Sequence, residues 1–134
     1  FGGGLWQTMV PHLEEIRFEP GETVIDYGER SVGLFLVAEG RVVTEIPAAE
    51  GRWLRVRSSG QGAILGEMSL YLGGGRTARV RAEEATRLFI LDGSSLSSIE
   101  ENDPSCAMRL HRRLAEVLAE RLSTTNDTVR ALLR

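Results

Sequence analysis

Two residues of opposite charge, Glu67 and Arg76, flank a short helical pattern and a triple glycine in the stretch GAILGEMSLYLGGGRTARVRA, residues 62–82. The guanidinium of Arg76 is a planar fork that matches two phosphate oxygens at once. The Glu67 carboxylate accepts hydrogen bonds, so it suits a hydroxyl group rather than a phosphate. The helix start between them adds unpaired backbone N–H groups, which favour anions. The spacing therefore predicts a site for a phosphate that is joined to a sugar hydroxyl.

Structural explanations of the same residues stay open. Glu67 and Arg76 could form an ion pair that braces a loop, and Gly73–Gly75 could be a flexible surface loop or a place where the backbone approaches a phosphate. Alternation over Arg76–Ala82 predicts a strand that begins at Arg76 and carries the next two arginines on its opposite face. We expect Arg76→Ala to abolish binding without lowering stability, because little besides Glu67 would satisfy an unliganded Arg76.

Other chemistry has little support in the sequence. His12 and His111 are far apart, whereas a metal-dependent jelly-roll enzyme needs two or three converging histidines. Ser69 and Cys106 have no adjacent base, so a nucleophilic role is not indicated. Cys106 falls in the first turn of a predicted helix, where the thiol pKa can be lowered, but a small packed residue is the favoured interpretation. We therefore predict no catalytic residue, no metal site and no enzyme activity.

Composition indicates an ordinary globular domain. The 134 residues suit one domain, and the 42% hydrophobic and 26% charged residues are typical of a soluble protein. The net charge of -3 gives no reason to expect nucleic acid as a partner. A single cysteine fits a reducing compartment, and the longest apolar run, Leu34–Ala38, is too short to span a bilayer. We expect a cytoplasmic location, alone or as part of a membrane protein, and a fragment of a longer chain because residue 1 is Phe.

Short strands separated by glycine turns dominate residues 12–91. Eight such strands argue for a mainly β fold, a sandwich or jelly-roll barrel. The predicted strands are Ile16–Phe18, Thr23–Ile25, Leu34–Val37, Val42–Ile46, Trp53–Val56, Ala63–Leu65, Arg76–Ala82 and Leu88–Leu91.

Helical patterns precede and follow the strands. A short helix is predicted at Leu5–Met9, and C-terminal helices at about 94–134. Ser94 can cap the first of these, which carries Leu96 and Ile99. Asp103 followed by Pro104 is a cap and first-turn proline for the second helix. Ser123–Asn126 should end that helix before a short apolar tail at Val129–Leu133. Its apolar face is predicted to contain Ala107, Leu110, Leu114, Val117, Leu118 and Leu122.

The chain resembles the cyclic nucleotide-binding domain family of catabolite activators and kinase regulatory subunits. Gly66-Glu67, the helix Met68–Leu72 and Arg76-Thr77-Ala78 match its phosphate-binding cassette. Glycine turns at Gly21-Glu22, Gly28-Glu29 and Glu39-Gly40 match its first strands, and the likeness covers roughly residues 13–122. The resemblance implies a β-roll followed by C-terminal helices that binds cyclic AMP or cyclic GMP without a metal. The implied binding residues are Leu65, Gly66, Glu67, Met68, Ser69, Arg76, Thr77 and Ala78.

The resemblance also implies regulation, with binding transmitted through the C-terminal helices to a fused domain. The end of the chain, residues 109–134, is similar to the tail of bacterial SulP-type permeases, which implies a fused anion (sulfate) transporter. A homodimer through the C-terminal helix is compatible with this arrangement. Two alternatives stay open: the sensor domain of a transcription regulator, and a ligand-free protein-interaction module. Thr77 could bond the amino group of guanine, as in some family members, or could be only a strand residue.

Overall fold

The computed structural model describes residues 3–30 and 33–133. They form two compact units, one of residues 12–95 and one that combines the segments before and after it. Short 3-10 turns lie at Val10–His12 and Ala49–Gly51. The helices and strands, in chain order, are α1 (Gly3–Met9), β1 (Glu14–Phe18), β2 (Thr23–Ile25), β3 (Gly33–Glu39), β4 (Val42–Pro47), β5 (Trp53–Ser59), β6 (Ile64–Leu65), α2 (Glu67–Leu72), β7 (Arg79–Ala82), β8 (Thr86–Asp92), α3 (Gly93–Asn102) and α4 (Pro104–Leu132).

The eight strands form two antiparallel sheets of four strands each. One sheet has the order β1-β8-β3-β6 and the other the order β2-β7-β4-β5. Inward-facing residues from both sheets share one apolar cluster, and burying this surface is what favours the fold. The prediction of a mainly β fold with C-terminal helices is confirmed. The buried members of the cluster are Ile25, Phe35, Val37, Val42, Leu65, Val80 and Leu88.

The strand that was predicted to begin at Arg76 begins instead at Arg79. The backbone N–H of Arg76 donates to Glu29 O at 2.7 Å, and the N–H of Gly28 donates to Arg76 O at 2.8 Å. Residue 76 therefore pairs with the turn after β2 rather than extending β7. Arg76 does not share a strand with the arginines at 79 and 81, so that prediction was wrong.

Helix α4 is longer than predicted, because Ser123–Asn126 does not end it. The hydroxyls of Thr124, Thr125 and Thr128 each donate to the carbonyl four residues earlier, at 3.0, 3.0 and 3.1 Å. These bonds satisfy the hydroxyls inside the helix, so the polar stretch continues to Leu132. The predicted apolar face is also too long, because Leu122 is 62% exposed.

The start of α4 matches the prediction from sequence. The Asp103 side chain accepts from the N–H of Cys106 at 3.1 Å, and Pro104 occupies the first turn. Burial raises the pKa of the Cys106 thiol, so this residue is a packed side chain rather than an activated nucleophile. Across the described residues, no helix has both the length and the apolar character that crossing a membrane requires.

In the second sheet, strand β4 carries a buried carboxylate that is paired with two arginines of β7. Glu45 is 5% exposed and accepts from Arg81 Nε at 2.8 Å and from Arg79 Nη2 at 3.0 Å. The Arg79 guanidinium also lies 3.7 Å from the centre of the Trp53 ring. The charge of the carboxylate is thus paired on both sides, which is the condition for burying it.

We expect Glu45 to make stability depend on acid pH. Hydrogen bonds from Arg81 hold the pKa of Glu45 below its usual value, with Arg79 adding to the effect and burial opposing it. A lowered folded-state pKa contributes stability above the unfolded pKa, about 4.3, and this contribution is lost as pH falls through the folded pKa. The free energy of unfolding by urea should therefore fall more steeply below about pH 5 in the parent than in Glu45→Gln.

A matched control is Glu15→Gln, since Glu15 pairs at the surface with Arg17 and both side chains are exposed. This variant should keep the parent's acid dependence. An identical pH profile for the parent and Glu45→Gln would contradict the assignment.

Candidate functional site

Arg76 lies between α2 and β7, where its backbone is bonded to the turn at Gly28 and Glu29. Gly75 packs against the same turn, because a Cβ on Gly75 would lie 2.8 Å from Gly28 O. A side chain at position 75 would push the two segments apart. The close approach of these two backbones therefore sets where the Arg76 side chain begins.

The Arg76 side chain is 4% exposed and donates to two main-chain carbonyls. Nη1 bonds Gly66 O at 3.2 Å and Nη2 bonds Gly33 O at 3.2 Å. The guanidinium carbon is 5.7 Å from the centre of the Phe35 ring. Arg76 thus links the start of β3 to the residue before α2.

Arg76 braces this junction through main-chain carbonyls, whereas the sequence left open a brace through an ion pair with Glu67. Among the described residues, the hydrogen bonds of the Arg76 guanidinium go to the carbonyls of Gly66 and Gly33. The expectation that an unliganded Arg76 has little but Glu67 to satisfy it was therefore wrong. Arg76 has a structural role of its own, so its removal should also lower stability.

The guanidinium nevertheless keeps unused donors. An arginine has five N–H groups, and the Nε of Arg76 is buried without a hydrogen-bond partner among the described residues. Burial lowers the pKa of Arg76, and the nearby carboxylate of Glu29 partly opposes this. This buried cation is held mainly by neutral carbonyls and keeps an N–H that no described residue accepts. Such a group attracts an anion strongly.

Glu67 is the first residue of α2 and directly follows Gly66, whose carbonyl accepts from Arg76. Glu67 is 3% exposed. The residue before it, Gly66, has a φ of 89°, which only glycine adopts readily. A Cβ on Gly66 would lie 2.7 Å from Arg76 Nη1 and 2.7 Å from Gly33 O. Glycine is required here both by the backbone angle and by the approach of Arg76.

The remaining predicted site residues differ in exposure. Leu65 is buried and pairs with Phe35 in the first sheet, and Ser69 is buried in α2. Met68 and Thr77 are exposed, and Ala78 is half-buried. Their roles in binding stay predictions. Leu65 to Ser69 and Arg76 are brought together through the bond from Arg76 to Gly66 O.

The triple glycine has two different parts. Gly73 and Gly74 have φ angles of 69° and 76°, and nothing lies within 4 Å of a Cβ built on either. Gly75 instead makes the close approach to Gly28. The close backbone approach that the sequence left open is therefore made at Gly75, to the backbone of this chain.

Two participants were missed by sequence reasoning. The sequence gives no sign that the carbonyl of Gly33 takes part, since every residue carries a backbone carbonyl. Phe35 was assigned only to a strand, although an aromatic ring at the start of a strand could have marked a contact for a cation. In the part of the chain that the structure describes, no cluster of three or more metal-ligating side chains occurs.

Known proteins are similar to this chain in fold and, in part, in sequence. The family model of the cyclic nucleotide-binding domain matches residues 15–103. The crystal structure of a cyclic nucleotide-binding domain from Methylobacillus flagellatus has a TM-score of 0.88 at 22% identity, covering 95% of this chain and 71% of that one. At this identity the structural likeness shows the fold.

Curated relatives are larger than this chain. A candidate potassium channel protein of Rhodopseudomonas palustris is 34% identical over 101 residues, 75% of this chain and 24% of that protein. A CRP-like cAMP-activated global transcriptional regulator of Mycobacterium tuberculosis is 28% identical over 125 residues, 93% of this chain and 54% of that protein. The chain thus spans about a quarter of the length of the channel protein and about half of the length of the transcriptional regulator.

We expect Gly66→Ala to destabilise the protein more than Gly62→Ala. The two glycines have φ angles of 89° and 88°, so the backbone penalty is shared. Only at Gly66 would the new Cβ collide with Arg76 and Gly33, because nothing lies within 4 Å of a Cβ at Gly62. The extra loss in the free energy of unfolding should be about 1–3 kcal/mol, measured by urea denaturation. Equal losses in the two variants would show that the contact between Gly66 and Arg76 is not tight.

Proposed function

Because the chain belongs to the cyclic nucleotide-binding domain family, we propose that the segment from Leu65 to Ala78 binds the ribose and cyclic phosphate of cyclic AMP or cyclic GMP. The role is binding without chemical turnover. In regulatory proteins, domains of this family are non-catalytic, and the proteins similar to this chain include a cAMP-activated transcriptional regulator and a cGMP-dependent protein kinase.

The observation that carries the proposal is the buried guanidinium of Arg76. Its Nε has no hydrogen-bond partner among the described residues, and a cyclic phosphate offers one negative charge with two free oxygens. A charge-assisted bond between them would satisfy the free donor and neutralise the buried cation. The bonds to Gly66 and Gly33 hold the fork in place before ligand arrives, which lowers the entropy lost on binding.

Glu67 suits the sugar. Its carboxylate accepts hydrogen bonds and would repel the phosphate, so the ribose hydroxyl is the complementary group. Leu65, Gly66, Met68 and Ser69 would then flank the ribose phosphate from the side of α2. Thr77 and Ala78 would flank it from the side of Arg76.

The signal would pass through α3 and α4 to a fused effector domain in the cytoplasm. A membrane transporter is the effector that we favour, because the C-terminal segment resembles that of SulP-type permeases and one relative is a candidate channel protein. The transcriptional regulator among the relatives supports a second candidate effector, a DNA-binding domain. The exposed Leu122, Val129 and Leu132 of α4 would suit a helix-to-helix homodimer.

The direct test is a calorimetric titration of the folded protein with cyclic AMP and with cyclic GMP. A ligand of about 22 non-hydrogen atoms at about 0.3 kcal/mol per atom gives a binding free energy of about 6.6 kcal/mol, a Kd of ~10 µM. A flat titration with both nucleotides at hundreds of micromolar would leave the ligand-free interaction module as the better explanation.

A second prediction isolates Arg76. In Arg76→Met the side chain keeps apolar volume over Phe35 but loses its charge, so affinity should fall about 30- to 5000-fold. Stability should fall by about 1–3 kcal/mol, because the carbonyls of Gly66 and Gly33 lose their donors. Both values can be measured on one preparation, by calorimetry and by urea denaturation.

The control is Arg79→Met. Arg79 is the first residue of β7, and its side chain pairs with Glu45. It should lose stability but keep the parent's affinity. An Arg76→Met protein that binds as the parent does would refute the role of Arg76 in phosphate binding.

A further inference from the structure

Strand β5 leaves several large apolar side chains in contact with solvent at the edge of the second sheet. It is the last strand in the order β2-β7-β4-β5, and within the described chain it pairs only with β4. Leu54 and Val56 are 55% and 52% exposed, and Trp53 and Tyr27 are exposed as well. We call residues 52–56, together with Tyr27, the hairpin edge. Exposed apolar side chains gathered in this way mark an interaction surface.

The hairpin edge and the strands beside it are rich in arginine, although the whole chain is acidic. Residues 42–59 and β7 together contain five arginines and two glutamates, whereas the 134 residues have a net charge of -3. Arg52 lies 3.9 Å from Glu50, and Arg55 lies 3.1 Å from Glu83. Both arginines are well exposed, and exposed ion pairs contribute little stability. Both guanidiniums can therefore turn to another anion.

The exposed apolar side chains lie on both sides of the strand. Trp53 is opposite Pro47 in the register and Leu54 is opposite Ile46. Successive residues of a strand point to opposite faces, so Trp53 and Leu54 are on different faces of the sheet. A protein surface that covered one face would leave the other face in water. The interfacial region of a lipid bilayer can surround the edge on both sides.

Addition of a further strand would also cover both sides, but the hairpin edge is poorly built for it. The register skips Val56, because Thr44 is opposite Arg57 and Glu45 is opposite Arg55. Such a bulge is one of the ways in which natural edge strands avoid pairing with other chains. A second copy of this chain would, in addition, bring the arginines of one β5 close to those of the other.

The two aromatic rings are poorly arranged to stack on nucleic-acid bases. The Arg79 guanidinium covers one face of Trp53 at 3.7 Å and is held there by Glu45 at 3.0 Å. Tyr27 meets Trp53 at 76°, with 6.1 Å between the ring centres. Proteins that bind single strands use open aromatic faces. Tryptophan and tyrosine are, however, enriched at membrane interfaces, where their polar tips reach water.

We propose that the hairpin edge binds the surface of an anionic lipid bilayer. Trp53, Leu54 and Val56 enter the boundary between headgroups and acyl chains, and Arg52 and Arg55 bind lipid phosphates. The apolar groups gain by leaving water, and the arginines gain from the negative surface potential. Neither contribution is large alone, so the contact is reversible and depends on both.

This inference does not rest on the proposed function, because no residue from Leu65 to Ala78 takes part in it. Binding to vesicles should therefore persist in Arg76→Met, and a failed nucleotide titration would leave it untouched. If Arg76→Met abolished binding to vesicles, the lipid would be held at the nucleotide site and the role of the hairpin edge would be refuted.

The direct test is sedimentation of the protein with vesicles. The vesicles contain phosphatidylcholine alone or phosphatidylcholine with about 30% phosphatidylglycerol. The protein should sediment with the acidic vesicles only, and less so as salt is raised, because salt screens the attraction. Soluble glycerol phosphate should not displace it. Absence of binding at low salt, or displacement by glycerol phosphate, would overturn the proposal. An acidic protein segment would then be the better partner.

Tryptophan fluorescence tests whether the edge enters the bilayer. Trp6→Phe leaves Trp53 as the single tryptophan. Its emission should move to shorter wavelength when acidic vesicles are added, and lipids brominated on their acyl chains should quench it. Binding without either change would show attraction to the headgroups alone and would contradict the inserted edge.

Substitutions with matched controls locate the contact. Arg52→Gln should weaken binding to acidic vesicles about 5-fold. Its control is Arg17→Gln on the first sheet, which makes the same change in net charge at an arginine of similar exposure. Leu54→Gln should weaken binding about 10-fold, and its control is Met108→Gln, at an exposed residue of α4. Both controls should bind as the parent does. Losses in the controls that equal those at the hairpin edge would refute its role.

Discussion

The hydrogen bonds from the Arg76 guanidinium to Gly66 O and Gly33 O are the interaction on which the rest of the site depends. Through them, one side chain joins the first residue of β3 to the residue before α2. The backbone of Arg76 adds the turn at Gly28 and Glu29 to the same junction. The turn at Gly28 and Glu29, the start of β3 and the residue before α2 are therefore positioned by one residue, and glycine at position 66 lets the guanidinium come close enough.

This arrangement makes a structural role and a binding role of Arg76 compatible. A side chain with five donors can hold two carbonyls and still offer N–H groups to a ligand. The two carbonyls are neutral, so they orient the guanidinium without cancelling its charge. A carboxylate in their place would hold the arginine as firmly but would compete with a phosphate. The choice of main-chain acceptors keeps the site attractive to anions.

Local patterns in the sequence were enough for most of the fold and part of the site. Alternation and glycine turns located all eight strands, and Asp103 with Pro104 located the start of α4, because these signals act within a few residues. The start of β7 was misplaced because the backbone of Arg76 bonds Glu29, a partner that no local pattern reveals. The same holds for the carbonyl of Gly33. The end of α4 was misplaced because its threonine hydroxyls, which are often found at helix ends, donate here to carbonyls within the helix.

Helix α4 is long, and its buried side chains are confined to its N-terminal part. Its 29 residues correspond to about 43 Å at about 1.5 Å per residue. Its buried side chains lie between Cys106 and Val117, near its N-terminal end. Beyond them the described side chains are half-buried or exposed, so little within the described chain restrains that part. A tilt of about 10° at the buried end would displace the last turn by about 7 Å, so small changes in packing there would become large displacements at the far end.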